Sequence, residues 1–292
     1  MTEIFTSKAA ASEIRARYRD LLTHWPVANT QLRVPTGQGE TFVVACGSQD
    51  APPLVLLHGS GSTAANWMSD AAVWSRRFRV YAVDMIGEPG LSAKSRPPLN
   101  SDAYAAWLDD VLRGLGVEKA AFVGASLGGW LALDYAARRP RRVERMALLC
   151  PAGIGRQKYF VVKAAVYALL GSWGIRKVRE MVFGPPPRDL PPVARSLVEL
   201  MALIQRDFRP RMVRFPLLSD ADLRALTMPA LVIVGGRDLT LDSRDTRRRL
   251  ARTNPAVEVR VLPQAGHYIP GQTEVILDFL LRPSQAPRSG NA

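Results

Sequence analysis

Cysteine and histidine are scarce in this chain, which has only two cysteines and three histidines among its 292 residues. Cys46 and Cys150 both lie in apolar, strand-like runs, and neither has the spacing of a metal ligand. Two cysteines are too few for a disulfide scaffold, and a chain of this length can bury a core without such cross-links. We therefore expect two buried free thiols and a reducing, cytoplasmic location.

Long apolar runs are missing as well. The first twenty residues contain no apolar stretch like that of a secretory signal. The longest apolar candidate, 159–175, is interrupted by Lys163 and two glycines. No apolar run reaches the roughly 18 residues that a membrane-spanning helix needs. We expect no stable insertion into a membrane.

Acidic residues are outnumbered, with 26 Asp and Glu against 39 Lys and Arg, so the formal net charge is +13. Such a balance can indicate a nucleic-acid or membrane partner. The arginines, however, are spread along the chain, mostly at the ends or polar faces of predicted helices. No zinc-finger spacing, RNA-binding signature or helix-turn-helix pattern accompanies them. We expect no nucleic-acid partner, and the sequence leaves the oligomeric state open.

Short apolar runs alternate with helical patterns along most of the chain. An amphipathic helix is predicted before Pro26, and further helices are predicted over 63–75 and 101–115. The apolar runs are mostly continuous, which suits strands buried on both faces of a parallel sheet. The alternation predicts a doubly wound α/β fold. Eight runs are predicted to be strands: QLRVP, ETFVVAC, PPLVLLHG, RFRVYAVD, KAAFVGAS, RMALLCP, PALVIVGGRD and VEVRVLP.

The alternation breaks once, over 154–227, where no strand is predicted. Helices are predicted over 157–170 and 192–205, and we interpret the segment as a helical cap over the carboxyl edge of the sheet. The apolar side chains between Lys158 and Ile175 are too many for one helix stripe, so we expect some of them to line a cleft. Packing of both faces within the cap, or an interfacial lid that touches lipid, are the alternatives. The expected organisation is a helical arm at 1–30, a core at 31–153 and 228–282, the cap at 154–227 and a disordered tail at 283–292.

Glycines surround one serine in the stretch VGASLGGW. Gly124-Ala125-Ser126-Leu127-Gly128 has the form G-x-S-x-G, follows a predicted strand and precedes a predicted helix. In that context the motif predicts a very tight strand-to-helix turn that lifts the serine hydroxyl above the sheet. A side chain at either flanking glycine would clash in such a turn. We expect Ser126 to be a catalytic nucleophile.

A serine hydroxyl needs a base to become nucleophilic. His24 lies in the N-terminal arm and His58 begins a glycine-rich loop. His267 follows the last predicted strand and comes after Ser126 in the chain, where this kind of fold presents its base. We expect His267 to be the base.

The base needs an orienting acid, which should lie between Ser126 and His267 at the end of a strand. The run LVIVGGRD ends at Asp238, directly after a predicted strand, and Asp238 is our candidate. Asp242 and Asp245 lie at the start of the next predicted helix, where capping explains them better. Asp84 also ends a strand, but it precedes the serine, so a structural role is favoured.

An anionic tetrahedral intermediate needs two preorganised N–H donors. The residue after the nucleophile, Leu127, is expected to supply one of them. The loop HGSG, Gly59 to Gly61, is expected to supply the other, from Ser60.

These motifs together resemble the α/β-hydrolase superfamily over about residues 30–282. The landmarks LLHGSG, VDMIGEPGLS, VGASLGG, VIVGGRD and AGHYIP occur in the family's order. The resemblance implies an eight-stranded sheet with a helical cap inserted after the sixth strand. THWPV, YAVDMIG and YAAWLDDVLRGLGVEK are similar to small bacterial carboxylesterases of the naproxen-ester-cleaving kind. That similarity implies hydrolysis of a small-molecule ester. The apolar side chains of the cap predict a preference for an apolar acyl group, and the Ser–His–Asp mechanism needs no metal or organic cofactor.

Other functions stay open. HGSGSTAANW is similar to the oxyanion loop of hydrolases that cleave carbon–carbon bonds in ring-cleaved diketones, although those usually carry Asn at the position of Ala125 and Trp at the position of Tyr268. Acyl transfer or a biosynthetic cyclisation would use the same three residues. A non-catalytic receptor of the same fold is the alternative from another class. Dehalogenases and epoxide hydrolases are disfavoured because they have an aspartate in place of Ser126.

Overall fold

The computed structural model describes most of the chain, with gaps in the middle and at both ends. Several expectations fall into the gaps: most of the apolar segment expected to line a cleft, and all but Pro283 of the expected tail, lie outside the described residues. Of the apolar side chains in that segment that are described, Leu169, Leu170 and Trp173 are exposed. The described residues are 3–158, 167, 169–171, 173–174, 177, 180–181, 189–211 and 213–283.

An eight-stranded sheet forms the centre of the molecule, as predicted. The strands follow the order β1-β2-β4-β3-β5-β6-β7-β8 across the sheet. The pairs β1–β2 and β2–β4 are antiparallel, and the remaining pairs are parallel. The strands are β1 Asn29–Val34, β2 Thr41–Cys46, β3 Pro53–Leu57, β4 Arg79–Val83, β5 Ala120–Ala125, β6 Val143–Leu149, β7 Ala230–Gly235 and β8 Glu258–Leu262.

Burial explains why the apolar runs became strands. Every residue of β2 and β7 is buried, and β3 and β5 each have a single half-buried end. Strands that are buried along their whole length read as continuous apolar runs rather than alternating ones, because neither face is in contact with solvent. Cys46 and Cys150 are both buried and free.

Helices cover both faces of the sheet. The first one, α1, begins where the Ser7 hydroxyl accepts the Ala10 N–H, and its apolar stripe is buried. A 3₁₀ turn, Ala64–Trp67, leads directly into α2. Among the described residues, no helix is long and apolar enough to cross a membrane. The helices are α1 Lys8–Thr23, α2 Met68–Trp74, α3 Ala103–Gly114, α4 Leu127–Arg138, α5 Pro192–Asp207, α6 Asp220–Arg224, α7 Ser243–Thr253 and α8 Thr273–Leu281.

The segment between β6 and β7 contains α5 and α6 and rests on the N-terminal part of the chain. Helix α5 packs against α1, and Phe208 at its end contacts Phe5 edge-on at a ring-centroid distance of 6.0 Å. The helix predicted over 157–170 does not begin at Gln157, which instead forms an antiparallel bridge with Leu241. Pairing with a distant segment overrides the local pattern there. The predicted limits of arm, core and cap stay predictions.

The position of β3 between β4 and β5 makes the carboxyl edge of the sheet a topological switch point. The chain runs from β3 to β4 on one side and then crosses past β3 to β5 on its other side. Open α/β sheets bind ligands at such a switch point. The loops after β3, β5, β7 and β8 all end at this edge of the sheet.

Candidate active site

The turn between β5 and α4 has the geometry that the motif predicts. Ser126 has φ 51° and ψ −107°, a conformation that non-glycine residues rarely adopt. A Cβ on Gly124 would lie 2.6 Å from the Gly128 carbonyl oxygen, and a Cβ on Gly128 would lie 2.1 Å from the Leu57 carbonyl oxygen. Only glycine fits at these two positions, so the sequence GASLG follows from the turn itself.

The structure brings Ser126, His267 and Asp238 into one hydrogen-bonded series. His267 Nε2 lies 3.0 Å from Ser126 Oγ, and His267 Nδ1 lies 2.8 Å from Asp238 Oδ2. The three residues come from the ends of β5, β8 and β7, whose carboxyl ends are adjacent in the sheet. An imidazole that donates from Nδ1 to a carboxylate can accept the serine proton at Nε2.

Asp238 is held as a carboxylate. Its side chain is 1% exposed, and Oδ1 accepts the N–H groups of Thr240 at 2.7 Å and Leu241 at 3.0 Å. Burial raises the pKa of Asp238, but the hydrogen bond and charge of His267, together with these N–H groups, outweigh it and leave a pKa of about 2. A permanently ionised acid stabilises the imidazolium that forms when His267 takes a proton.

Two residues beside the acid were not predicted from the sequence. The Thr240 hydroxyl donates to Asp238 Oδ1 at 2.8 Å and lies 2.8 Å from His267 Nδ1, so it contacts both members of the pair. Lys158 Nζ donates to the Asp238 carbonyl at 2.5 Å, and the Lys158 N–H donates to the Thr240 carbonyl at 2.8 Å. A hydroxyl two residues after the predicted acid was a usable signal for Thr240, whereas nothing local pointed to Lys158.

The other histidines occupy positions away from Ser126. His58 is buried, its Nε2 accepts the Met85 N–H at 3.0 Å and its Nδ1 lies 2.8 Å from the Gly59 carbonyl. Burial lowers the pKa of His58 to about 4, so the ring is neutral at neutral pH and connects two loops. His24 is exposed at the end of α1.

The alternative aspartates have structural partners. The Asp242 side chain caps α7 by accepting the N–H groups of Arg244 and Asp245. Asp245 pairs with Arg248 at 2.6 Å. Asp84 accepts the Tyr18 hydroxyl at 2.9 Å and two backbone N–H groups. None of these three carboxylates is hydrogen-bonded to His267.

Two backbone donors flank the serine. Leu127 is the first residue of α4, and Ser60 lies in the loop after β3, beside Gly59. A Cβ on Gly59 would lie 3.7 Å from Ser126 Cβ, so this loop runs directly past the nucleophile. Within the part of the chain that the structure describes, the N–H groups of Ser60 and Leu127 have no hydrogen-bond acceptor. Both are available to a ligand, and helix N-termini favour anions.

A group of potential metal ligands coincides with these residues. One ligand atom each from Cys150, Asp238 and His267 lies within 4.8 Å of the others. Burial raises the pKa of the Cys150 thiol far above its usual range, and the charge of Asp238 adds to the effect. A metal needs the thiolate and a free imidazole nitrogen, but the thiol stays protonated and His267 is engaged with Asp238 and Ser126. The group does not fit a metal.

Comparisons with known proteins identify the family. Residues 54–278 match the model of a family described as the alpha/beta hydrolase family. The chain is 31% identical over 256 residues to the uncharacterized carboxylesterase nap of Bacillus subtilis (strain 168), covering 86% of this chain and 85% of that one. It is 30% identical over 255 residues to the carboxylesterase YbfK of the same organism, covering 86% of each.

Solved structures give the same result. The carboxylesterase CesB (YbfK) from Bacillus subtilis superimposes with a TM-score of 0.80 at 29% identity, covering 94% of this chain and 99% of that one. The naproxen esterase from Bacillus subtilis superimposes with a TM-score of 0.78 at 29% identity, covering 96% and 100%.

Proposed function

Because this chain belongs to the alpha/beta hydrolase family, we propose that it is a serine hydrolase that cleaves carboxylic esters through an acyl-enzyme intermediate. The observation that carries the proposal is the series Ser126–His267–Asp238, with contacts of 3.0 and 2.8 Å. The similarity to carboxylesterases supports the ester as substrate.

The first half of the reaction acylates the serine. Ser126 Oγ attacks the ester carbonyl carbon while His267 Nε2 takes the hydroxyl proton. Asp238 holds Nδ1–H and stabilises the imidazolium. The carbonyl oxygen becomes an oxyanion and accepts the N–H groups of Leu127 and Ser60. The intermediate collapses, the bond to the alcohol oxygen breaks, and His267 gives its proton to the leaving alcohol.

The second half releases the acid. A water molecule gives a proton to His267 Nε2 and attacks the acyl carbon. The second tetrahedral intermediate uses the same two N–H donors. Its collapse breaks the bond to Ser126 Oγ, which takes the proton back from His267. The net reaction consumes one ester and one water and yields one acid and one alcohol, so no redox partner or metal is required.

The substrate is proposed to be a small-molecule ester, with a preference for an apolar acyl group. Each buried CH₂ contributes about 0.8 kcal/mol, so two further carbons should raise kcat/KM by roughly tenfold while the pocket lasts. We also propose a cytoplasmic location, because two buried free thiols suit a reducing compartment.

A panel of p-nitrophenyl esters from acetate to decanoate, with one vinylogous diketone, tests this function. We expect ester turnover that Ser126→Ala lowers by about 10⁶, with the fold intact by circular dichroism. Ser12→Ala, an exposed serine on α1, is the matched control and should match wild type. Diketone cleavage without ester turnover would replace the proposal by carbon–carbon hydrolysis. If neither the esters nor the diketone is turned over, a receptor or an enzyme with an unusual substrate is favoured.

A further inference from the structure

A second acidic residue near the nucleophile lies on the loop after β4. Glu88 is only 4% exposed. Its Oε2 accepts the Gly61 N–H at 2.6 Å and lies 3.4 Å from the Ser60 hydroxyl. The Glu88 side chain therefore contacts the loop after β3, on the two residues that follow Gly59.

The hydrogen bond from Gly61 to Glu88 lies one peptide after the Ser60 N–H, so it restrains the direction in which that N–H points. Gly61 has φ +66°, a left-handed conformation that glycine adopts readily and that lies outside regular helix and strand. The hydrogen bond to Glu88 fixes the peptide before Gly61. Ser60, one residue earlier, carries the N–H that we propose as an oxyanion donor, and Gly59 before it lies next to Ser126. A loop that lost its anchor at Gly61 could turn the Ser60 N–H away from the nucleophile.

Charged groups surround the Glu88 carboxyl. Burial raises its pKa to about 7, although the Gly61 N–H and the charges of Arg96 and Arg211 lower it. Tyr104 also faces it, and donors of Arg211 reach the Tyr104 hydroxyl at 3.1 Å. The two guanidiniums leave the cluster net positive even when Glu88 is ionised, so they offset its repulsion of a developing oxyanion.

An ionised carboxyl with a raised pKa destabilises the folded state, so its presence needs a reason beyond packing. We infer that Glu88 is a positioning residue for the oxyanion hole: as a hydrogen-bond acceptor for Gly61 it holds the loop so that the Ser60 N–H faces Ser126. This inference rests on the proposed function. It adds a residue that acts through the donor rather than on the substrate.

Two variants of similar size isolate the acceptor. Glu88→Gln keeps an oxygen that can accept the Gly61 N–H, whereas Glu88→Met does not, and both remove the charge. One oxyanion donor contributes about 10² to 10³ in rate. We expect Glu88→Met to lower kcat by about a hundredfold with KM changed less than about threefold. Glu88→Gln should stay within about tenfold of wild type. Asp134→Asn, a carboxyl on α4 that pairs with Arg138, is the control and should match wild type.

Binding of a trifluoromethyl ketone gives a second measurement, because its adduct with the serine places an oxyanion in the same position. Across wild type and both variants, the inhibition constant should rise in proportion to the loss in kcat/KM, also if only Glu88→Gln folds. The inference is overturned if Glu88→Met and Glu88→Gln have the same kcat, if either is faster than wild type, or if the inhibition constant stays constant while kcat/KM falls. A wild-type protein that hydrolyses no ester would instead contradict the proposed function, and this inference with it.

Discussion

Two buried aspartates at the ends of strands of one sheet have similar surroundings, but their pKa values are shifted in opposite directions. Asp238 follows β7 and is 1% exposed, and Asp84 follows β4 and is fully buried. Each accepts two backbone N–H groups and one hydroxyl. For Asp84 the hydroxyl belongs to Tyr18 of α1, and for Asp238 it belongs to Thr240. In their backbone and hydroxyl donors, the two sites are alike.

The difference lies in the one further partner of Asp238. His267 donates to its second oxygen, and this bond and the charge of the imidazole bring the pKa to about 2 against the effect of burial. Among the described residues Asp84 has no ion-pair partner, so burial dominates and raises its pKa to about 6 despite three hydrogen bonds and the charge of Arg33. A strand-end aspartate is therefore an ambiguous signal, and its partner decides whether it serves chemistry or the fold.

The largest expected effect is on kcat, which should differ strongly between substitutions at the two aspartates. Asp238→Asn should lower kcat by roughly 10⁴, because an amide in place of the carboxylate favours the wrong tautomer of His267. Asp84→Asn should leave kcat within tenfold, because Asp84 touches no reacting group. Steady-state kinetics on folded protein, verified by circular dichroism, checks both. If Asp84→Asn instead abolished turnover, the assignment of Asp238 as the orienting acid would be wrong.

A smaller effect is expected for the hydroxyl beside the acid. Thr240→Val keeps the shape of the side chain and removes its bond to Asp238 and its contact with His267 Nδ1. Asp238 keeps its two backbone donors, so we expect kcat to fall by about tenfold, in line with one hydrogen bond to a charged group. The control is Thr253→Val, whose hydroxyl bonds within α7. An unchanged kcat would show that Thr240 only fills space.

The smallest expected effect is on the free energy of unfolding, whose change with pH should have opposite signs for the two aspartates. Asp84 has a raised pKa, so wild type should lose up to about 3 kcal/mol relative to Asp84→Asn as pH rises from 4 to 6. Asp238 has a lowered pKa, so wild type should gain up to about 2 kcal/mol relative to Asp238→Asn as pH rises from 2 to 4. Urea unfolding across these ranges measures both differences. If both differences in unfolding free energy changed in the same direction with pH, the proposed contrast between the two aspartates would be refuted.

The sheet could be predicted because its signals are local. Each strand is a short apolar run, and the turn at Ser126 requires glycines that no helix would favour. The family and the eight-stranded fold are confirmed. The catalytic roles of Ser126, His267, Asp238, Leu127 and Ser60 stay predictions that the geometry supports.

The unpredicted features depend on contacts between distant segments. Gln157 continues a helical pattern in sequence, but its bridge to Leu241 joins the cap entry to the loop that carries Asp238. Glu88 lies 27 residues from the Gly61 N–H that it accepts. A pattern read along one segment contains no information about such partners, so only the assembled sheet reveals them.

The most direct measurement of the central claim is the mass of the enzyme's peptides during turnover. Rapid acid quenching with a p-nitrophenyl ester should trap the acyl group on the tryptic peptide 120–138, whose one serine is Ser126. We expect the acyl mass to appear on that peptide and to disappear in Ser126→Ala together with turnover. An acyl group on another peptide, or turnover that persists in Ser126→Ala, would contradict it.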